Sequence, residues 1–282
     1  MPPPAPFALG FADEAAILDD PAEHLTLFRF AHDPRVVVVD FPSLEEQGRM
    51  LDRVGAFTEK AGLPRDRVLT DSELEAAIRE RGDTVATFYY GHDYPAAALA
   101  RFFALADRDH VVLSAPEERL RALVRQLGWL APDAQGAVIS LSREGADANV
   151  TRAARAAILH HELSHGGFFV TPAYADYTRR FWLTALTEAE RDSVRKFLAS
   201  EDYDSSDETL MFNEMQAYLM FTDDPHFFLP SFVGMTAARR AALRVAFRRD
   251  LPVDWLRDAL SDAPAVAAGA TVKASERRPN LR

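Results

Sequence analysis

The chain has 282 residues, 48% of them hydrophobic and 27% charged, which is ordinary for a globular protein and enough for one large domain or two small ones. Its formal net charge of −11 argues against nucleic acid or an anionic membrane as the main partner. The absence of cysteine excludes disulfides, thiolate metal sites and a cysteine nucleophile, so any metal must be held by His, carboxylate or water.

Residues 1–35 open Pro-rich and read as an N-terminal arm over the body. Met1 to Phe7 has no basic segment followed by an apolar one, so no signal peptide is expected, and no apolar run reaches the length of a membrane span. A cytoplasmic protein without membrane insertion is the expectation, although a mature periplasmic or secreted form given a start Met would read the same. Val36 to Phe41 is a continuous β-branched run and reads as a buried strand. Ser43 and Glu46 have capping-box spacing for a helix to about Gly62, with Leu44, Leu51, Val54 and Phe57 as its apolar stripe. A second helix is expected from Asp71 to Arg81. Thr84 to Tyr90 reads as a strand running into a turn, Gly91 to Pro95, with His92 and Asp93 at its tip. Pro95 then starts a helix through Asp107. A short strand over His110 to Ser114, a helix from Pro116 to Leu127 and a strand from Gly136 to Ser142 follow.

The next stretch carries the chemistry. His161-Glu162-Leu163-Ser164-His165 is H-E-x-x-H. On a helix, positions i and i+4 share a face one turn apart, so both imidazoles can reach one Zn²⁺ while Glu162 takes a proton from a metal-bound water. Ala154, Ala157, Ile158, His161 and His165 make one stripe at helical spacing, so the two histidines continue a core-facing surface where bare imidazoles need partners. Gly166-Gly167 is expected to end this helix. The rest reads as helices: Tyr174 to Leu186, one capped by Thr187 and Glu190 to about Ala199, Glu208 to Phe221 after a polar loop, Thr236 to Arg249, and Val253 to Leu260. Strands with helices come first and helices alone after. The fold class is therefore α+β: one domain over 36–261, with an α/β lobe (36–148), a helical lobe (149–261) and a flexible tail at 262–282.

A catalytic zinc needs a third protein ligand and an open position. Phe168 and Thr171 stand where H-x-x-G-x-x-H needs Gly and His, so the ligand is a carboxylate or a distant His. Glu214 is the best candidate, because its helix is apolar almost all round and a lone buried carboxylate requires a partner, either a metal or a buried Arg. Glu188 and Glu190 are the runners-up, though a helix N-terminus already accounts for them.

His161-Glu162-x-x-His165, with Asn213-Glu214-x-x-Ala217 on a later helix, resembles the glutamate-zincin metallopeptidases. The gap is longer than in the thermolysin type and more like that of the lethal-factor and related bacterial types. The resemblance covers about residues 136–221, and nothing comparable exists for residues 1–135. Two departures stand out: Gly166-Gly167 directly after the motif, and Tyr218 where many relatives carry an acid supporting a metal-binding His. The resemblance implies a zincin-like fold with the active-site helix between the lobes. It implies Zn²⁺ held by His161, His165 and Glu214, and hydrolysis of a peptide or other amide with Glu162 as general base. It also implies an edge strand before the motif helix, at Ala137 to Ser142, to which a peptide or protein substrate adds.

An oxyanion donor is required as well, with Tyr203 preferred over Tyr174, Tyr177 and His226. His160 points off the motif face. His92 and Asp93 read as a polar turn before they read as site residues. Arg239, Arg240, Arg244, Arg248 and Arg249 form a basic face that is solvated or paired within the chain. Three other readings remain: a metal-binding or peptide-binding protein on the same fold that hydrolyses nothing, a metal-free interaction domain with a coincidental motif, and an amidase acting on a non-protein amide.

Overall fold

The computed structural model describes residues 6–131 and 133–262. Among these, the architecture is α+β, with one five-stranded mixed sheet and mainly helices elsewhere. The strands are β1 (Gly10–Ala12), β2 (Thr26–Phe30), β3 (Val36–Phe41), β4 (His92–Pro95) and β5 (Ala137–Ser142), in the spatial order β1-β2-β3-β5-β4. β3 and β5 pair in parallel at the centre, with Val36 opposite Ala137 and Phe41 opposite Ser142. β4 runs antiparallel to β5, and β2 antiparallel to β3.

Both faces of the central strands are covered, which is why they read as unbroken apolar runs rather than alternating ones. Val37, Val39 and Val138 pack on α2 (Leu44–Thr58), α4 (Ala96–Arg108) and α5 (Ala115–Gln126). Val36, Val38, Ile139 and Leu141 pack on the opposite side, in one core shared with α6 (Arg152–Val170) and the helices that follow. The expected caps form. Ser43 accepts from the Glu46 N–H at the start of α2, and Thr187 with Glu190 makes a full capping box on α8 (Glu188–Ser200). No helix among the described residues is long and apolar enough to cross a membrane.

Several expectations are corrected. The stretch read as an arm supplies β1, α1 (Glu14–Asp19) and β2; Ile17 and Phe30 are fully buried, and Arg155 on α6 donates to Ile17 O at 2.8 Å. Thr84 to Tyr90 is not a strand. Thr84 and Thr87 bond each other in a turn, and Phe88 and Tyr89 bury themselves in a small cluster with Ala56, Leu69 and Ile78. The turn expected at Gly91 to Pro95 is instead β4. His110 to Ser114 is irregular: His110 has φ +53° and Val112 is 81% exposed, so no neighbouring strand covers it. β5 is not the edge strand, since β3 and β4 flank it; β4 is the edge. Gly166 and Gly167 do not end the motif helix, which continues to Val170 before Pro172. They are glycines because a Cβ on Gly166 would meet Val36 Cγ1 at 2.9 Å, and one on Gly167 would meet Leu256 Cδ1 at 3.0 Å. The small residues let the helix lie tight between β3 and α11 (Asp254–Asp262). The tail expected from residue 262 lies, beyond Asp262 itself, outside the described residues.

Candidate functional site

α6 presents His161, Glu162 and His165 to the junction of β4 with the helical half, and each is 1% exposed or less. His161 Nε2 and His165 Nε2 face each other at 3.1 Å. Glu214, on α9 (Glu208–Gln216), brings Oε2 to 3.8 Å from His161 Nε2 and 3.6 Å from His165 Nε2. Two ligands bound at about 2.1 Å to a tetrahedral ion stand roughly 3.4 Å apart, so the three donor atoms are spaced as one ion would require. Glu214 Oε2 and His165 Nδ1 have no hydrogen-bond partner among the described residues, and neither does Glu162 Oε2, although all are buried. A cation between the two Nε2 atoms would satisfy Glu214 Oε2, which is otherwise costly to bury, while His165 Nδ1 faces away from it. The residues therefore fit a metal.

The chain behind His161 fixes the tautomer of that ring. After α9 the helix widens into a π-turn, Ala217–Phe221, a feature often found at functional positions. Thr222 closes it, its hydroxyl donating to Ala217 O at 3.0 Å while meeting His161 Nδ1 at 2.8 Å. With its only proton committed to Ala217, the Thr222 oxygen must accept, so His161 carries its proton on Nδ1 and turns the Nε2 lone pair to the site. Thr222 is thus the side chain that supports His161 from behind, and Tyr218 packs edge-on against the His161 ring, centroids 4.8 Å apart. Arg240 holds this turn. It is buried, pairs with Asp223 at 3.1 Å as the intramolecular alternative expected, and donates to Leu219 O at 2.8 Å and Thr222 O at 2.6 Å. Its neighbours are ion-paired within the chain, Arg239 with Glu190 and Arg244 with Asp223. On the other side, Ser164 donates to His161 O and accepts from Gln216, which in turn accepts from Tyr174.

Two further carboxylates come to the site. Asp93 on β4 lies 3.9 Å from His165 Nε2, and it and Glu162 influence each other's titration. Glu59, just past the end of α2, joins Asp93 and Glu214 with carboxylate oxygens all within 4.8 Å of one another. Asp93 was read as part of a bland polar turn and Glu59 was missed. The signal for Asp93 was its position inside a buried aromatic run, Phe88 to Tyr94. For Glu59 the only hint was an acid closing a helix that is otherwise buried on nearly every side. Backbone bonds from Ala61 N to Asp202 O and from Asp204 N to Glu59 O tie the end of α2 to the loop before α9, delivering Glu59 and Tyr203 together. A Cβ at Gly91, just before β4, would stand 2.1 Å from Glu162 Oε1, so a larger residue there would push the Glu162 carboxylate out of its place.

Burial dominates the electrostatics. It pushes Glu162, Glu214 and Asp93 well above the usual carboxylate range, and their mutual repulsion and that of Glu59 add to this. Burial raises Glu59 to about 7 despite the pull of Lys60 and Arg65. The histidines move the other way: burial, then each other's proximity, takes His161 well below its ordinary value, and burial takes His165 down to about 4 against the influence of Asn213. Both imidazoles are therefore neutral and able to act as ligands.

The other sequence-selected residues lie elsewhere or act differently. Tyr203 is buried at the site and draws down the raised value of Glu214. His226 is exposed and paired with Asp224, and Tyr177 donates to Phe247 O. Glu188 pairs with Arg191 on the surface. His160 bonds Glu14 at 2.9 Å. His92 is buried between Ser140 and Asp52, not on the metal side. A cleft of about 400 Å³ shares Glu59 and Asp93 with the site and is lined also by Asn213, Phe168, Phe169 and Arg101. No family model, curated protein or solved structure matches the chain.

Proposed function

We propose that the protein is a zinc-dependent metallopeptidase of zincin-like fold that hydrolyses a peptide bond in a peptide or protein substrate. One observation carries this reading: His161 Nε2, His165 Nε2 and Glu214 Oε2 converge within 4.8 Å while Glu162 stands beside them. Bound there, zinc supplies a water acidified toward a pKa of ~7 and polarises the scissile carbonyl. Glu162 takes the proton of that water and passes it to the departing amine nitrogen. Gly91 leaves the room that the Glu162 carboxylate occupies. The substrate lies in the cleft above Asp93 and along β4, which takes over from β5 as the strand to which a peptide adds.

The test exposes zinc-loaded protein to a mixed peptide library and reads new termini by mass spectrometry. Wild type is expected to cut, and Glu162→Gln to retain zinc while cutting about 10²–10⁴-fold more slowly. Equal cutting by both would remove Glu162 from the mechanism, and no cutting by zinc-loaded wild type would remove the peptidase reading. A second reading, a metal-binding protein that hydrolyses nothing, is favoured by the burial of Glu162 and all three ligands, each 1% exposed or less. Under it, zinc binds and the library stays intact.

The role given to Thr222 has its own consequence. Thr222→Val removes the acceptor of the His161 Nδ1 proton at little cost in volume. Zinc affinity should fall about 10–100-fold, as for other partners of metal-binding histidines. Competition against a chromophoric chelator measures this, and an unchanged affinity would count against the tautomer argument.

A further inference from the structure

We infer that Arg101 is the residue of the cleft that recognises a carboxylate on the bound substrate, either an acidic side chain or the α-carboxylate at a chain end. The inference rests on the metallopeptidase reading for the substrate being a peptide. Arg101 lines the same cleft as Asp93, and so do Pro95 and Ala98. The last three recur at three-residue spacing from the start of α4, so they follow one side of that helix away from Asp93.

Two arginines line the cleft, and only one has donors to offer. Arg65 commits its guanidinium to Ala56 O, Phe57 O and Lys60 O, and lies 3.9 Å from Asp204. Arg101 makes one hydrogen bond, from Nη2 to Arg65 O at 2.6 Å, and no ion pair among the described residues. A guanidinium carries five N–H donors in a planar fork, so most of them remain. The acids near the loop before α9 do not claim them: Asp204 accepts from the N–H and hydroxyl of Ser206, and Asp207 caps α9.

The group is exposed yet held in place. Its central carbon lies 5.3 Å from the centroid of the buried Phe57 ring, and the bond to Arg65 O fixes one edge. A guanidinium stacked and bonded in this way is preorganised, and less rotamer freedom is lost when it binds. A carboxylate is the planar partner that accepts two parallel N–H bonds from such a fork. From Pro95 to Arg101 the helix advances about 9 Å, the length of about three residues of extended peptide. Asp93 stands 3.9 Å from His165 Nε2, so the recognised carboxylate falls about three residues from the bond at the metal.

The test reads binding and cutting separately. Two peptide libraries, one containing Asp and Glu and one with Asn and Gln in their place, both containing Lys, are made with free and with amidated C-termini. Bound peptides are counted by mass spectrometry on zinc-loaded Glu162→Gln, and new termini on zinc-loaded protein with Glu162 intact. Both readouts are repeated with Arg101→Gln and Arg101→Glu. The expected result is a preference of about 10-fold for carboxylate-bearing peptides. It should vanish in Arg101→Gln and turn toward Lys in Arg101→Glu. A preference for Asp and Glu that survives amidation assigns the side chain, and a preference for free over amidated ends assigns the chain end; either supports the inference. No binding, no preference, or a preference that Arg101→Gln leaves unchanged overturns it, and cutting by the same protein then leaves the peptidase reading standing. An Arg101-dependent preference in binding without any cutting supports the inference and removes the peptidase reading.

Discussion

Arg155→Met is expected to lower the unfolding free energy by about 3–5 kcal/mol, the range found when one partner of a buried ion pair is removed. Arg155 is 1% exposed and Asp40, in β3, is fully buried. The guanidinium grips both Asp40 oxygens, at 2.9 and 2.5 Å, and also donates to Ser142 O and Ile17 O. One side chain thus fastens the motif helix to both central strands and to α1. Burial already pushes Asp40 up to about 6 against the pull of Arg155, so without the arginine the carboxyl must take a proton or stand as an unpaired charge. Domains of this kind have only about 5–15 kcal/mol to lose. Urea unfolding followed by circular dichroism measures the change. Asp40→Leu combined with Arg155→Met should recover part of the loss, because two apolar groups leave nothing charged behind. An unchanged urea midpoint in the single variant would refute the pinning role.

Removing zinc should produce the second large effect, and its size should depend on pH. Zinc at a thousand times its dissociation constant stabilises the folded chain by about 4 kcal/mol. In metal-free protein the folded-state values of Glu162, Glu214 and Asp93 are raised well above those of the unfolded chain, and that of Glu59 to about 7. The folded form then binds more protons than the unfolded one, so stability present below about pH 4 is lost as pH rises through the raised values. His161 and His165 are depressed, His165 to about 4, and contribute the opposite slope only up to about pH 6.5, where the unfolded imidazoles also become neutral. Above that pH only the carboxylates act. Chelator-treated protein should therefore lose stability from pH 6.5 to 8, and the gain on adding zinc should grow over the same interval. A zinc effect that is constant across it would mean that the carboxylates do not face the metal.

How much of this was legible in the chain depends on how local each cause is. His161, Glu162 and His165 are set by one helical turn, and Glu214 by the apolar character of its own helix; each could be read where it stands. Ser43, Thr187 and Glu190 cap helices through bonds reaching three residues, equally local. Glu59 and Asp93 are different. Nothing near Glu59 distinguishes it from an ordinary acid at the end of a helix, because what makes it a site residue is a loop arriving from residues 201–204. Asp93 was hidden because Phe88 to Tyr90 satisfied the pattern of a strand a few residues too early, while the strand that forms there is His92–Pro95. Gly166 and Gly167 resemble a helix stop in sequence, and only the close approach of Val36 and Leu256 explains why the helix runs through them. Arg240 looked like one charge among five on a helix face, and its burial depends on carbonyls freed by a π-turn that no local pattern announces.

The pairing of β3 with β5 also bears on the order in which the molecule can be made. β3 ends at Phe41 and its parallel neighbour begins at Ala137, so the centre of the sheet closes a chain loop of roughly ninety-five residues, a costly long-range contact of the kind that slows folding. On the ribosome, β1, β2 and β3 emerge early with one edge of Val36–Phe41 uncovered. The strand that covers that edge and the arginine that pairs with Asp40 come more than ninety residues later, roughly 5–20 s at ordinary rates of synthesis. The sheet cannot close until Ala137–Ser142 has been made, and the helix that carries His161 and His165, which packs against the closed sheet, is necessarily added after it.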